Sequence, residues 1–116
     1  MNDLPPFLYR LPPDPTPEQL ETAYAEGLLR KAQLEHGRHY AGRCRNARIA
    51  RWHAGVQAFV YMREKFGHRF PEEIRHPEDE RHYDVFLAVA ALDDAAVPAE
   101  ARIDDAVFER RPGLER

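Results

Sequence analysis

Six arginines fall within residues 36–63, and no acidic residue lies among them. The same stretch holds the only Cys, the only Trp and three of the six His of a chain whose formal net charge is -3. Guanidinium groups bind phosphate and carboxylate groups through paired hydrogen bonds, and aromatic side chains beside them stack on nucleotide bases. The composition predicts an anion-binding strand face, whose candidate ligand-binding residues are Arg43, Arg45, Asn46, Arg48, Arg51 and Tyr61.

An acidic connection follows the basic stretch and offers the arginines a second use. Its carboxylates are Glu72, Glu73, Glu78, Asp79 and Glu80. Ion pairs between the two segments would neutralise the basic face inside one small domain and leave no ligand site. The sequence favours this pairing, because opposite charges are available in the same chain, but it leaves ligand binding open.

Metal catalysis is a third possibility, since His76, Asp79 and His82 could converge on one ion. The spacing of these residues is not typical of a metal site, and the chain has no His-Glu-x-x-His pattern and no paired cysteines. We therefore predict no bound metal and no cofactor. A metal-dependent hydrolase that uses the loop at residues 76–84 is the least favoured alternative.

Cys44 is a candidate nucleophile, because Arg43 and Arg45 would lower the pKa of its thiol if they faced it. In a strand, however, neighbouring side chains point to opposite faces, so Cys44 is expected in the core. The chain contains no Ser and no glycine-rich phosphate loop. We predict no catalytic residue and expect that the protein is not an enzyme.

A length of 116 residues corresponds to one domain. A single Cys cannot form an intramolecular disulfide, and no apolar run approaches the roughly 20 residues that a membrane-spanning helix needs. The N-terminal residues include Asp3 and several Pro, which is unlike a signal peptide. These features predict a cytoplasmic protein that does not associate with membranes.

The elements that position the candidate residues begin with a Pro-rich arm at residues 1–15, which is expected to be extended and to pack on its own domain or on a partner. Thr16 and Gln19 form a capping-box pattern around Pro17, which predicts a helix start. Apolar residues at three- and four-residue spacing extend this amphipathic helix to about His36.

Period-two alternation predicts a strand at residues 38–45, with Cys44 on its apolar face and Arg43 and Arg45 on its basic face. A hairpin is predicted to follow, with strands at residues 48–53 and 58–65. Residues 72–83 are expected to form a short helix or an irregular connection. The last strand is predicted at residues 84–90, and Pro98 could start a C-terminal helix.

Together these elements predict an α+β fold, in which one N-terminal amphipathic helix packs on a small antiparallel sheet of three or four strands. Residues 16–92 form the predicted domain, residues 1–15 the arm, and residues 93–116 an acidic, Ala-rich C-terminal appendage.

One set of motifs recurs in a known pattern: Gly42-Arg43-Cys44-Arg45-Asn46-Ala47, then Trp52, Arg63-Glu64-Lys65-Phe66-Gly67, His76-Pro77-Glu78-Asp79 and Asp84-Val85-Phe86. This set resembles the core of a family of small uncharacterised bacterial and mobile-element proteins. The resemblance covers roughly residues 34–86 and implies that they form one β-rich unit. No activity, cofactor or partner is associated with the family, so the resemblance implies no function.

The leading hypothesis from the sequence is a small non-enzymatic binding module. Its basic, aromatic-lined strand face would hold an anionic small molecule such as a nucleotide, a nucleic acid, or an acidic protein surface. The alternative is a protein-protein adaptor or inhibitor that acts through the Pro-rich arm and the acidic C-terminal half, with the arginines purely structural.

Overall fold

The computed structural model describes residues 4–79 and 84–110, which form an α+β fold built on a five-stranded antiparallel sheet. The sheet order is β4-β3-β2-β1-β5. The strands are β1 (His39–Arg43), β2 (Ile49–His53), β3 (Ala58–Lys65), β4 (His68–Ile74) and β5 (Leu87–Leu92). The helices are α1 (Pro6–Arg10), α2 (Pro17–Glu26) and α3 (Asp105–Arg110), with short 3-10 turns at Lys31–Gln33, Asp94–Ala96 and Ala99–Ala101.

The predicted α+β class is confirmed, whereas the sheet has one strand more than the predicted maximum and the helices are more numerous and shorter. The additional strand is β4, whose residues 72–74 lie in the segment where the sequence predicted a short helix or an irregular connection. Phe66 and Gly67 do not end the sheet but form the two-residue turn that joins β3 to β4, since Lys65 pairs with His68. Pro71 is tolerated because β4 is an edge strand, where a missing backbone N–H need not interrupt the sheet.

The N-terminal arm is not wholly extended, because residues 6–10 form α1. Pro6 occupies the first helical turn, where a backbone N–H has no intrahelical acceptor, so proline is compatible with the helix there. Phe7 and Leu8 are buried in the core of the same chain. The expected packing of the arm on its own domain is therefore found.

The predicted start of α2 is confirmed by its capping box. The Gln19 amide donates to Thr16 Oγ1 at 3.1 Å, and the Thr16 amide donates to Gln19 Oε1 at 2.8 Å. The predicted end at His36 is wrong, because the helix stops at Glu26. Gly27 follows with φ +125°, a conformation that takes the chain out of the helix and that only glycine adopts readily.

The two faces of the sheet carry separate apolar clusters. One face, which we call the inner face, carries a cluster centred on Trp52 and Phe59, with Tyr40, Ala50, Tyr61, Phe86 and Ala88. The N-terminal helices supply a second cluster, which includes Leu28 and the half-buried Tyr24. The predicted packing of one amphipathic helix on the sheet implied that Tyr24 and Leu28 share one core with Trp52. They do not, because Leu87 and its strand neighbour Phe86 point to opposite faces of β5 and join different clusters.

The edges of the sheet approach each other where β4 ends and β5 begins. Arg75 and Val85 form an isolated parallel bridge, and the Phe86 amide donates to the Arg75 carbonyl at 3.0 Å. The sheet therefore curls around the inner cluster. On its outer face, the N-terminal helices lie against one part and the C-terminal segment, through Ile103 and Phe108, packs on Val60 of β3.

β1 and β5 approach most closely at Gly42, next to an irregularity in their pairing. Ala41 pairs with Ala90, whereas Gly42 pairs with Ala88, so the register shifts between the two residues. A Cβ atom at Gly42 would overlap the Leu87 carbonyl oxygen and lie 2.8 Å from Ala88 Cα. This position therefore accommodates only glycine without movement of the β5 backbone.

Replacing Gly42 with Ala should lower the free energy of unfolding by about 1–3 kcal/mol, because the added methyl group overpacks the β1–β5 contact. Urea denaturation measures this loss. Gly67→Asn is a suitable control, since a Cβ there meets no atom within 4 Å and Asn tolerates its φ of +78°. A Gly42→Ala protein as stable as the wild type would show that β1 and β5 are not paired in this register.

Candidate anion-binding cleft

The loop between β1 and β2 positions three of the predicted site residues. The Cys44 amide donates to the Ala47 carbonyl at 2.9 Å and closes the loop. The Arg45 amide donates to Asp84 Oδ2 at 2.6 Å, which anchors the loop to the segment before β5. The side chains of Arg45, Asn46 and Arg48 are left exposed at this end of the sheet.

Arg43 and Arg48 lie on either side of the N-terminal arm. Arg43 Nη1 donates to the Leu8 carbonyl at 2.8 Å, and Arg48 Nη1 donates to the Tyr9 hydroxyl at 3.3 Å. Both guanidinium groups also lie near the Tyr9 ring, at 5.5 and 5.6 Å from its centroid. These acceptors are neutral, so the bonds orient the arginines without neutralising their charge.

Arg43, Arg45 and Arg48 line a cleft of about 450 Å³, which we call the arginine cleft. Its walls carry the guanidinium groups of Arg43, Arg45 and Arg48 and the single carboxylate of Asp84. The other lining residues are Pro12, Pro13, Cys44, Asn46, Ala47, Val85 and Leu87. Asp84 is already bound to the Arg45 amide, and within residues 4–79 and 84–110 none of the three arginines forms an ion pair.

Tyr61 lies in a neighbouring cleft of about 470 Å³ that shares Arg45 and Asn46 with the arginine cleft. The Tyr61 side chain is buried, and its hydroxyl donates to Glu72 Oε1 at 2.6 Å. Burial and this bond to a carboxylate raise the pKa of Tyr61 to about 12. A buried ring cannot stack on a base, so the structure does not bring Tyr61 into the role that the sequence predicted for it.

Arg51 is also separate from the arginine cleft. Its guanidinium donates to the carbonyls of Gly37 and Ile103, each at 2.8 Å, and pairs with Asp105 at 2.9 Å. It also lies 4.1 Å from the centroid of the Phe108 ring. Arg51 therefore holds the C-terminal segment on the outer face of the sheet, and its charge is not available there for a ligand.

The predicted pairing of the basic stretch with the acidic connection holds for Arg63, which pairs with Glu72 at 3.3 Å. Glu78 instead accepts a hydrogen bond from the Lys31 amide at 2.5 Å, and Asp79 pairs with the Lys31 side chain. Glu80 lies outside the described residues. Glu73 lines the neighbouring cleft together with Arg45, and none of the described residues of the connection lines the arginine cleft itself.

His39 is a second anchor for the C-terminal segment and is buried beside Arg51. Its Nε2 accepts a hydrogen bond from the Ile103 amide at 3.1 Å, so the neutral imidazole carries its proton on Nδ1. Burial, followed by the nearby charges of Arg51 and Arg102, lowers the pKa of His39 to about 4, although Asp94 and Asp105 oppose this effect.

This lowered pKa predicts a loss of stability in acid. The unfolded chain takes up the His39 proton near pH 6.5, whereas the folded chain resists it until about pH 4. The contribution is therefore complete above pH 6.5 and lost as pH falls towards 4. His39→Gln, which keeps an acceptor but does not titrate, should show a smaller fall in unfolding free energy over this range. Equal slopes for both proteins in urea denaturation would contradict the assignment.

Two of the residues considered for catalysis, His76 and Cys44, have structural surroundings that do not favour it. His76 is fully buried, and its Nδ1 accepts from the Glu78 amide while Nε2 lies 3.0 Å from the Leu29 carbonyl. Burial raises the pKa of the Cys44 thiol to about 11, which keeps it protonated at neutral pH. Among residues 4–79 and 84–110, no three His, Cys, Asp or Glu side chains form a possible metal site. His82 lies outside this part.

Sequence reasoning missed Tyr9, Pro12 and Pro13 as site residues. They belong to the arm, which we treated apart from the basic strand. The available signal in the sequence was a tyrosine within the Pro-rich segment. In the structure Tyr9 is 45% exposed, whereas Phe7 and Leu8 are buried.

Comparison of the chain with protein-family models, with curated proteins and with solved structures found no match. The resemblance of residues 34–86 to a family of small bacterial and mobile-element proteins stays a prediction. In the described part of the chain, no helix is long and apolar enough to cross a membrane.

Proposed function

We propose that the protein is a non-enzymatic binding module that holds an anionic ligand in the arginine cleft. The observation that carries this proposal is the contrast between its arginines and the other three arginines of the basic stretch at residues 36–63. Arg38, Arg51 and Arg63 each pair with a carboxylate. Arg43 and Arg48 give their hydrogen bonds to neutral oxygens instead, so the cleft keeps an excess of positive charge.

The geometry of the cleft supports oxyanion binding in particular. Arg43 is oriented by the carbonyl of Leu8, which reduces the entropy that a ligand contact must overcome. Arg45 projects from a loop whose backbone is fixed by Asp84. A guanidinium group offers five donors, so Arg43 and Arg48 retain N–H groups for a phosphate or carboxylate after their bonds to the arm.

The test is a titration with inorganic tripolyphosphate, an anion that has no base and no peptide. Wild-type protein should bind it at low salt, and affinity should fall as salt rises because charge-assisted contacts are screened. Arg45→Glu should weaken binding at least about 10-fold, since a hydrogen bond to a charged group contributes about 1.5–3 kcal/mol. The melting temperature should change little at this exposed position.

Arg30→Glu is the matched control, because it makes the same change in charge outside the cleft. The Arg30 guanidinium lies on Glu21 and on the Tyr24 ring and lines neither of the two clefts. If both variants lower the affinity for tripolyphosphate equally, the anion is attracted by the overall charge of the protein and not by the arginine cleft. That result would contradict the proposal. An absence of tripolyphosphate binding at low salt would also contradict it, and would favour the adaptor hypothesis.

A further inference from the structure

The tip of the β3–β4 hairpin carries a large exposed aromatic side chain. Phe66 is 89% exposed, and together with Gly67 it forms the two-residue turn between Lys65 and His68. Both turn residues have positive φ, of +54° and +78°. Turns with two positive φ values normally have Asn, Asp or Gly at the first position, because a Cβ atom strains this conformation.

Phe66 thus departs from two local rules at once. A phenyl ring gains nothing from full exposure to water, and it is unfavourable in the backbone conformation that the turn imposes. Residues that break local rules without a compensating contact in their own fold are typical of binding surfaces. The departure is therefore an indication that the ring contacts a partner.

The surroundings of Phe66 indicate the charge of that partner. Lys65 Nζ lies 5.6 Å from the centroid of the ring, and His68 lies across the turn from Lys65. The nearest carboxylate in the strand register, Glu64, is opposite Arg69. An aromatic ring beside a lysine is suited to a ligand that presents both a planar apolar group and negative charge, as a nucleotide does.

The hairpin tip and the arginine cleft lie at the same end of the sheet. Arg51 pairs with Val60, and this antiparallel register, continued towards the loop, brings Arg48 level with Arg63. Phe66 lies three residues further along the hairpin, or about 10 Å at the rise of a β-strand. Arg63 also lines the neighbouring cleft, together with Arg45 and the carboxylates of Asp14, Glu73 and Asp84. A chain of a few nucleotides therefore reaches from the cleft to the ring.

We propose that the ligand of the arginine cleft is single-stranded nucleic acid, with phosphates bound by Arg45 and Arg48 and a base stacked on Phe66. This inference rests on the proposed function and adds the contact that separates a polynucleotide from other anions. A phenyl ring makes no hydrogen bond with a base, so stacking on it is tolerant of sequence.

The decisive variant is Phe66→Asn, because Asn-Gly is the preferred sequence for this type of turn. If Phe66 is retained for binding, the variant should melt at the same or a higher temperature than the wild type. Its Kd for a short oligothymidine should nevertheless be about 10-fold higher, since stacking on an aromatic side chain accounts for about this much affinity per base. Its affinity for tripolyphosphate should not change.

Phe66→Trp provides the matched control, since it preserves an aromatic surface at the tip. It should bind oligothymidine as tightly as the wild type, and its new indole fluorescence should be quenched by the bound bases. The indole of Trp52 is buried and serves as the internal background in both proteins. Binding that is lost in Phe66→Asn and retained in Phe66→Trp supports stacking, because a purely structural role would not follow this pattern.

Three results would overturn the inference, and they differ in what they say of the proposed function. If Phe66→Asn binds oligothymidine as the wild type does, the proposed stacking on Phe66 is wrong. The proposed anion site is still supported in that case if the wild type binds tripolyphosphate. If the wild type binds neither ligand, both proposals fail. If Phe66→Asn instead converts a dimer to a monomer in light scattering with oligothymidine affinity unchanged, the tip is a self-association surface and the nucleic-acid assignment is wrong.

Discussion

A guanidinium group keeps its charge inside a protein, so wherever one is buried the chain must supply acceptors for it. The Arg51 side chain is only 15% exposed, and its acceptors come from Gly37 before β1 and from Ile103 and Asp105 near the C-terminus. His39 takes the Ile103 amide in the same place. This requirement fixes the C-terminal segment over the outer face of the sheet.

The N-terminal arm is also held by hydrogen bonds from arginine side chains. Arg43 contacts the Leu8 carbonyl and Arg48 contacts the Tyr9 hydroxyl, so these two bonds hold the arm over the other part of the outer face through neutral acceptors. Within residues 4–79 and 84–110, Arg45, Asn46 and Arg48 of the loop at residues 44–48 stay exposed. The proposed binding site is thus the part of the basic stretch that forms no ion pair among the described residues.

Local signals in the sequence predicted the local structure well. The capping box at Thr16 and the hairpin formed by β2 and β3 depend on neighbours within a few residues, and both are found. The β4 strand was missed because Gly67 indicates a break equally well whether the chain leaves the sheet or turns back. The end of α2 at Gly27 was missed because the apolar spacing continues beyond it, although Leu34 packs in the inner cluster and not with α2.

The candidate site was predictable in its residue types and less so in its arrangement. Alternation along β1 correctly separated Arg43 from Cys44, but no local pattern shows that Arg51 faces the C-terminal segment. That contact joins residues far apart in the chain and depends on the whole fold. Tyr61 was similarly misjudged, since its burial depends on how the sheet curls around the inner cluster.

The most direct test of the account is an NMR titration of amide-labelled protein with a short oligothymidine at low salt. We predict that the amides of residues 43–48, Tyr9 and Phe66 shift with one common Kd, while those of Arg51, His53 and Phe108 do not. Shifts confined to the outer face around Arg51, with none at residues 43–48, would contradict the division of the arginines into structural anchors and a binding cleft.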